Sequence, residues 1–527
     1  MIERVIENWL TNADERQYQI PFCQLLTAEG EKVLYISKHG QAEQGKDIVT
    51  LSKDSTPRAY QLKAGRIRLS EWRSFRAEVV ELVEYRVNHP SHPRRTRHIP
   101  FLVTNSEVSD PVIAAVRADN EQWRARGFRM LRLVTGTDLV ARFKQMHGTY
   151  LPVELKDFRL FLELVARDGR EPLDKQKFAL FLESVLPLTS DRRIRMRTLQ
   201  RSLASALVLS SYVLQSAAKC RNHWALFEGW TFVGSYILAM ATKYDAEQRW
   251  WSSSFQLCEI GAATAMEELC LECETDTKLL TEGIALTDGH FYAARLTILT
   301  GLLSAWALTY RMQNQICPKE DFITDFLQKF ITKVRLWGES AVPLFVASAL
   351  QIERRISQIK AENLIAQVLH SIASTNAKDE GIGVPNPYYE PEKCIRIVDG
   401  LEPDLQERFR GHSYSLEALI DFLARRWRRQ AIARFWEEVT ENQFLTFQPT
   451  KKWEWFVWRA REGSLDTRFP ARPQSWAVLL DSAENRSTDA IPARLLENPK
   501  FALLFVLVFP HRLRPDLLAF IERSIKR

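Results

Sequence analysis

Three residues with complementary chemistry lie close together in the sequence: Asp47, Gln61 and Lys63 supply a carboxylate, an amide oxygen and an ammonium. The two oxygen donors are of the kind a hard cation takes, since Mg2+ binds oxygens at about 2.0–2.1 Å and usually keeps several waters. An ammonium beside such a cation can orient and deprotonate a bound water, or neutralise charge developing on a phosphate. Asp47 and Gln61 are therefore the expected ligands of Mg2+, with Mn2+ as a substitute, and Lys63 is the expected partner of the attacking water.

These three residues need a β-hairpin to bring them together. Ile48, Val49, Thr50 and Leu51 form a short run rich in β-branched residues. Ser52 to Pro57 is turn chemistry, and Arg58 to Lys63 returns as a second strand. Side chains alternate along a strand, so Gln61 and Lys63 share a face while Leu62 points into the sheet. Gly45 permits close backbone approach just before Asp47. The plainer alternative is that Asp47 only opens a strand whose solvated face carries Gln61 and Lys63.

At these residues the chain resembles the PD-(D/E)XK nuclease superfamily, most closely its Mrr-like restriction endonuclease branch. There a Gly-x-Asp leads into a strand, and Gln-x-Lys often stands in for Glu-x-Lys. Tyr18 to Leu26 followed by Gly30 is similar to the family's first helix, and Phe101 to Ser106 to its later strand ending in a Thr-Asn turn. The segment that ends at Gly136-Thr-Asp-Leu139 is similar to its last strand and closing helix. The likeness spans roughly residues 10–147, and it implies a catalytic set of Asp47, Gln61, Lys63 and Glu15. Where the family has an aromatic-Glu pair, this chain has Tyr18 and Gln19. Glu15 lies one helical turn earlier, and Gln19 and Glu43 are alternatives for the same place.

The surrounding basic residues suit a polyanion. Arg66 and Arg68 follow Lys63 directly, and Arg94, Arg95 and Arg97 crowd a later loop. Together they are the expected phosphate contacts, and no motif here reads base sequence. Arg425, Arg426, Arg428 and Arg429, interleaved with Trp427, can bind a single strand by stacking and charge or can belong to a core.

The chain has 527 residues with a net charge of +7, so two to four domains are expected, and a polyanionic partner is permitted rather than demanded. Seven cysteines at irregular spacing point to a reducing cytoplasm. The amino terminus lacks the pattern of a signal peptide. The apolar run Leu296 to Tyr310 falls short of the roughly 20 residues of a membrane span, so no membrane partner is expected.

Periodicity predicts the order α-β-β-β-α-β-α-β-α over residues 1–150, an α/β domain in which helices sandwich a mixed sheet, restriction-endonuclease-like in class. Long amphipathic runs then predict an all-α region, with a helical domain at 151–375 that can be a solenoid. A loop or linker at 376–403 and a Trp-rich helical domain at 404–527 follow. The reading implied is a Mg2+-dependent endonuclease acting on nucleic acid, DNA before RNA. By resemblance its role is in restriction or anti-phage defence, with the helical region as sensor, regulator, oligomerisation module or contact for a defence partner. The alternatives are an inactive nuclease-fold scaffold and a structure-selective repair nuclease or junction resolvase.

Overall fold

The computed structural model describes residues 7, 10–11, 13–37, 44–87, 97–147, 155–188, 194–275, 289–377, 383–402 and 407–526. The chain divides into two compact units, Met1–Thr264 and Ala265–Arg527.

Unit 1 is built on a five-stranded sheet in the order β1-β2-β3-β4-β5. Its elements are α1 (Glu15–Ala28), β1 (Lys32–Ile36), β2 (Ile48–Leu51), β3 (Pro57–Lys63), α2 (Leu69–Glu84), β4 (Ile99–Thr104), α3 (Asp110–Ala125), β5 (Arg132–Val134) and α4 (Gly136–His147). The expected α-β-β-β-α-β-α-β-α order is present. β1, β2 and β3 pair antiparallel, whereas β3, β4 and β5 pair parallel, which makes the sheet mixed. The central strand β3 is buried at Ala59, Tyr60, Gln61 and Leu62 in succession, as a strand covered on both faces must be.

Two cores flank the sheet. On one face Tyr18, Phe22, Leu25 and Leu26 of α1 and Leu139 and Phe143 of α4 meet Ile48, Tyr60, Leu62 and Val103. On the other, Trp72, Phe75, Val79 and Leu82 of α2 and Val112, Val116 and Trp123 of α3 meet Val49, Ala59 and Leu102. Pro21 falls in the interior of α1 rather than in its first turn. The apolar burial of its neighbours offsets the roughly 3 kcal/mol that an interior proline costs. The hairpin is tied to the end of α1 by Glu31, whose carboxylate accepts hydrogen bonds from Tyr60 Oη at 2.9 Å, from Thr50 Oγ1 and from Arg58.

Unit 1 does not stop near residue 150. The helices α5 (Leu155–Val165), α6 (Lys175–Val185), α7 (Met196–Lys219) and α8 (His223–Lys243) belong to it, and the division falls within α9 (Ser252–Thr275). Val208 of α7 and Leu257 of α9 enter the core beside α1, and Ser254 Oγ donates to Gln24 Oε1 at 3.2 Å. The outer side of α1 is therefore apolar because other helices cover it.

Unit 2 is largely helical: α10 (Gly289–Met312), α11 (Glu320–Phe330), α12 (Val342–Arg355), α13 (Gln358–Thr375), α14 (Pro391–Val398), α15 (Leu416–Ala424), α16 (Arg429–Ala433), α17 (Trp436–Thr440), α18 (Trp476–Glu484), α19 (Ala493–Leu496), α20 (Pro499–Val508) and α21 (Pro515–Lys526). Two expectations need correction here. The segment 376–403 is not all loop, since Pro391 starts α14 at a first-turn position, where a missing N–H costs nothing. The terminal region is not purely helical either. It holds a three-stranded sheet of β6 (His412–Ser413), β7 (Gln443–Pro449) and β8 (Gly463–Arg468). α10 is longer than the apolar run suggested. Among the described residues it is the one helix long and apolar enough to cross a membrane, and 78% of its apolar window is buried within the protein. Its packing against α12 and α20 accounts for that burial.

Because α7 and α9 cover α1, a fragment ending at residue 150 is expected to expose that surface, bind a hydrophobic dye and melt without cooperativity. The fragment 1–264 is expected to show a single cooperative transition by circular dichroism. A cooperative melt of the shorter fragment would mean that α7 contributes nothing to the sheet domain's stability.

Candidate active site

The hairpin register positions the candidate residues. Ile48 pairs with Tyr60 and Val49 with Ala59, and the ladder ends there: the Asp47 amide donates to the Tyr60 carbonyl, one residue out of that register. Ile48, Tyr60 and Leu62 fill one core and Val49 and Ala59 the other. By alternation Gln61 and Lys63 share the face covered by α2.

The Asp47 carboxylate is fixed at one oxygen, where the Leu62 amide donates to Oδ2 at 2.6 Å. The Asp47 amide in turn donates to the Tyr60 carbonyl at 2.9 Å. Gln61 is 2% exposed, so it does not line a solvated face. Its Nε2 donates to Glu78 Oε2 at 2.7 Å. A carboxylate is an acceptor, so that bond fixes which end of the amide is nitrogen. The other end, Gln61 Oε1, is a buried acceptor with no donor, at a cost of about 1–3 kcal/mol. Lys63 Nζ also reaches Glu78 Oε2, at 2.9 Å, and lies 5.1 Å from the centroid of the Phe75 ring.

Glu78 is the site residue that sequence reasoning missed. It sits with Glu71, Glu81 and Glu84 at helical spacings, a pattern that reads as a solvated face balancing Arg73 and Arg76. The signal that could have singled it out is Gly45. Gly45 has φ +69°, and a Cβ there would lie 2.2 Å from the Glu78 carbonyl oxygen. Only glycine lets the chain before Asp47 close onto that turn of α2.

Glu15, at the start of α1, accepts from the Ala64 amide at 3.4 Å, just beyond Lys63. Tyr18 Oη donates to the Lys63 carbonyl at 3.0 Å and lies 3.3 Å from that of Val103. Burial, then the Glu15 and Asp47 carboxylates, hold the Tyr18 phenol well above its usual range. Both carboxylates thus act on one phenol at the end of β3. Gln19 is buried with its Nε2 unpartnered, so its amide nitrogen does not bond to these residues. Glu43 lies outside the described residues. Beyond β3, Asn105 clamps the turn: its Oδ1 accepts from Gly65 at 2.7 Å, and its Nδ2 donates to Leu10 and Ala13 carbonyls at 2.6 Å each.

The donor set suits a hard cation in part. Asp47 and the undonated Gln61 amide offer oxygen donors, and oxygen ligands select Mg2+, Ca2+ or Mn2+ over softer ions. Among the described residues no three His, Cys, Asp or Glu side chains gather around one point. A cation here would therefore draw on the amide oxygen and on water besides its carboxylate.

Of the expected phosphate contacts, Arg66 and Arg68 are exposed immediately after β3. Arg66 lies 3.7 Å from Glu107, and the Arg68 amide donates to Glu71 in a capping arrangement at the start of α2. Arg97 is spent on packing, with its guanidinium 4.1 Å from the Phe128 ring centroid. Arg94 and Arg95 lie outside the described residues.

No family model matches this chain, and neither a curated protein nor a solved structure gives a significant match to it.

Lys46, next to Asp47, is buried with Nζ donating to the Gln44 carbonyl at 2.8 Å and the Glu81 carbonyl at 3.3 Å. Desolvation lowers its pKa to about 8, against an upward pull from Glu81. The unfolded chain, with an ordinary lysine near 10.4, binds more protons between these values. Stability should therefore rise with pH from about 8 and level off near 10.4. Lys46→Met is expected to be at least as stable at pH 7 and to lose that rise, as measured by urea midpoints across pH 7–11. Parallel midpoint curves for the two proteins would contradict the assignment.

Proposed function

We propose that unit 1 is a metal-dependent nuclease hydrolysing phosphodiester bonds, with DNA as its substrate and restriction or defence as its setting. The observation that supports it most is the buried amide oxygen of Gln61, which lacks a donor, with Lys63 next on the same face and the Asp47 carboxylate held against the same strand by the Leu62 amide. A bound Mg2+ supplies Lewis-acid polarisation of a phosphoryl oxygen and an acidified water. The protein's part is positional and electrostatic. The Leu62 amide aims Asp47, and Glu78 aims both Gln61 and Lys63. The Lys63–Glu78 pair is part-exposed, and such pairs contribute at most about 1 kcal/mol. An incoming phosphate can thus exchange for Glu78 at little cost and draw the ammonium to the scissile group. Arg66 and Arg68, just beyond Lys63 in the chain, meet the flanking phosphates.

The same ion pair favours a second reading. If Glu78 holds Lys63 permanently, the hairpin is a binding scaffold and no strand is cut. A repair nuclease or junction resolvase uses the same residues and differs only in the substrate's shape.

Asp47→Asn keeps shape and removes ligand charge. It is expected to abolish cleavage and the rise in melting temperature that Mn2+ or Mg2+ gives the wild type through binding. Lys63→Ala should keep the cation-dependent rise and lose about 10²–10⁴-fold in rate. Both should bind DNA in Ca2+ or EDTA as the wild type does. Cleavage time courses on plasmid and single strands, run beside melting curves with each cation, decide the matter. Cation-dependent stabilisation without cleavage selects the scaffold. Equal cutting by wild type and Lys63→Ala removes the hairpin from the chemistry.

A further inference from the structure

The run Arg425-Arg426-Trp427-Arg428-Arg429 splits in two in the structure. Arg425 and Arg426 turn inward: Arg425 Nε reaches Glu522 at 2.8 Å, and Arg426 reaches Glu353 at 2.5 Å and Glu522 at 3.1 Å. They anchor the end of α15 to α21 and α12. Trp427 turns outward and is 67% exposed, while Trp455 and Trp458 of the same region are buried.

Trp427 is also held in a conformation that its side chain disfavours. The Trp427 amide donates to the Ala424 carbonyl at 2.8 Å, and the Arg428 amide reaches back to the Leu423 carbonyl at 3.1 Å. This bond pattern is a Schellman cap, in which the residue after the helix takes the left-handed conformation and is usually glycine. Trp427 occupies that position with φ +58°. Neither packing nor backbone preference explains a tryptophan there, since its ring is mostly in water and glycine would fit the turn better.

The surroundings indicate what the ring meets. Arg428 is paired with Glu362 at 3.3 Å. Arg429 and Arg434, at the two ends of α16, are exposed, and among the described residues neither forms an ion pair with a carboxylate. An exposed aromatic face followed closely in the chain by unneutralised guanidiniums suits a chain of bases and phosphates, because every base has a face to stack and every linkage an anion.

We propose that Trp427 is a stacking platform for a base of single-stranded nucleic acid, with Arg429 and Arg434 meeting the adjacent phosphates. This site lies in unit 2 and does not rest on hydrolysis by the hairpin of unit 1. A displaced or unpaired strand is the chemistry it recognises, with no base preference.

The test is fluorescence anisotropy of the full chain with a labelled oligothymidylate in EDTA, where cation-dependent cutting is silent. W427G should weaken binding by roughly 5- to 150-fold, the loss from one stacked base. Its melting temperature should stay level or rise, because glycine suits the cap. W427F should retain most of the affinity. R429A combined with R434A should weaken binding and make its log–log salt slope shallower by about 0.7 for each phosphate no longer neutralised. The proposal is overturned if W427G binds as the wild type does, or if W427G melts lower and Trp427 is therefore a structural residue. It is equally overturned if W427G alters only the oligomeric state, which would make this a protein-docking surface, or if the double arginine variant keeps its affinity and slope.

Discussion

The pairing of β2 with β3 is the constraint on which the candidate site depends. One face of the pair is committed by Ile48, Tyr60 and Leu62 and the other by Val49 and Ala59. A slip of one residue would therefore move every one of these side chains to the wrong core. That double commitment fixes the face of Gln61 and Lys63, and the Leu62 amide holds the Asp47 carboxylate against the same strand. Gln61 and Lys63 occupy the end of a strand whose register apolar burial has already set, and Asp47 stands just before the ladder begins. Glu31, which accepts hydrogen bonds from Thr50 and Tyr60 across both strands, closes the other end.

From that register the second layer follows. α2 must cover Val49 and Ala59, which brings Glu78 over Gln61 and Lys63. Gly45 then decides how closely the chain before Asp47 can approach the helix. The result is a site with one carboxylate aimed by a backbone amide and another that pairs with the ammonium. The oxygen of Gln61 is buried and undonated. A ligand or a water that donates to or coordinates this oxygen would satisfy it.

Much of this was legible in the sequence, and the parts that were not have identifiable reasons. β-branched residues around a Ser-Lys-Asp-Ser-Thr-Pro turn mark the hairpin, and periodicity marks α2 and α3 nearly to their ends. Glu78 was hidden because acids at helical spacing look alike until a tertiary partner chooses one. The helix Pro391–Val398 was hidden because its proline stands at a first-turn position and looks like a breaker. β8 was hidden because Gly463–Arg468 is exposed along its whole length and carries no apolar alternation. The division at Thr264 could not be read from the change to helical patterning after residue 150. Which helices cover α1 is a matter of long-range packing, and periodicity shows only that a face is apolar.

Gly45 and Trp427 show how a left-handed residue should be weighed. Both have positive φ, at +69° and +58°. At Gly45 the conformation and the space agree, because a Cβ would collide with the Glu78 carbonyl oxygen, so folding alone explains the residue. At Trp427 they disagree. The cap asks for glycine, the ring gains little burial, and the strain is local with no compensating contact among the packed helices. A residue kept against its backbone preference and outside the core contributes nothing evident to folding. Strain of this kind concentrates where a side chain must be presented to something outside the fold. Trp427 is presented to a ligand, and the unneutralised Arg429 and Arg434 that follow it in the chain narrow that ligand to an anion with faces to stack.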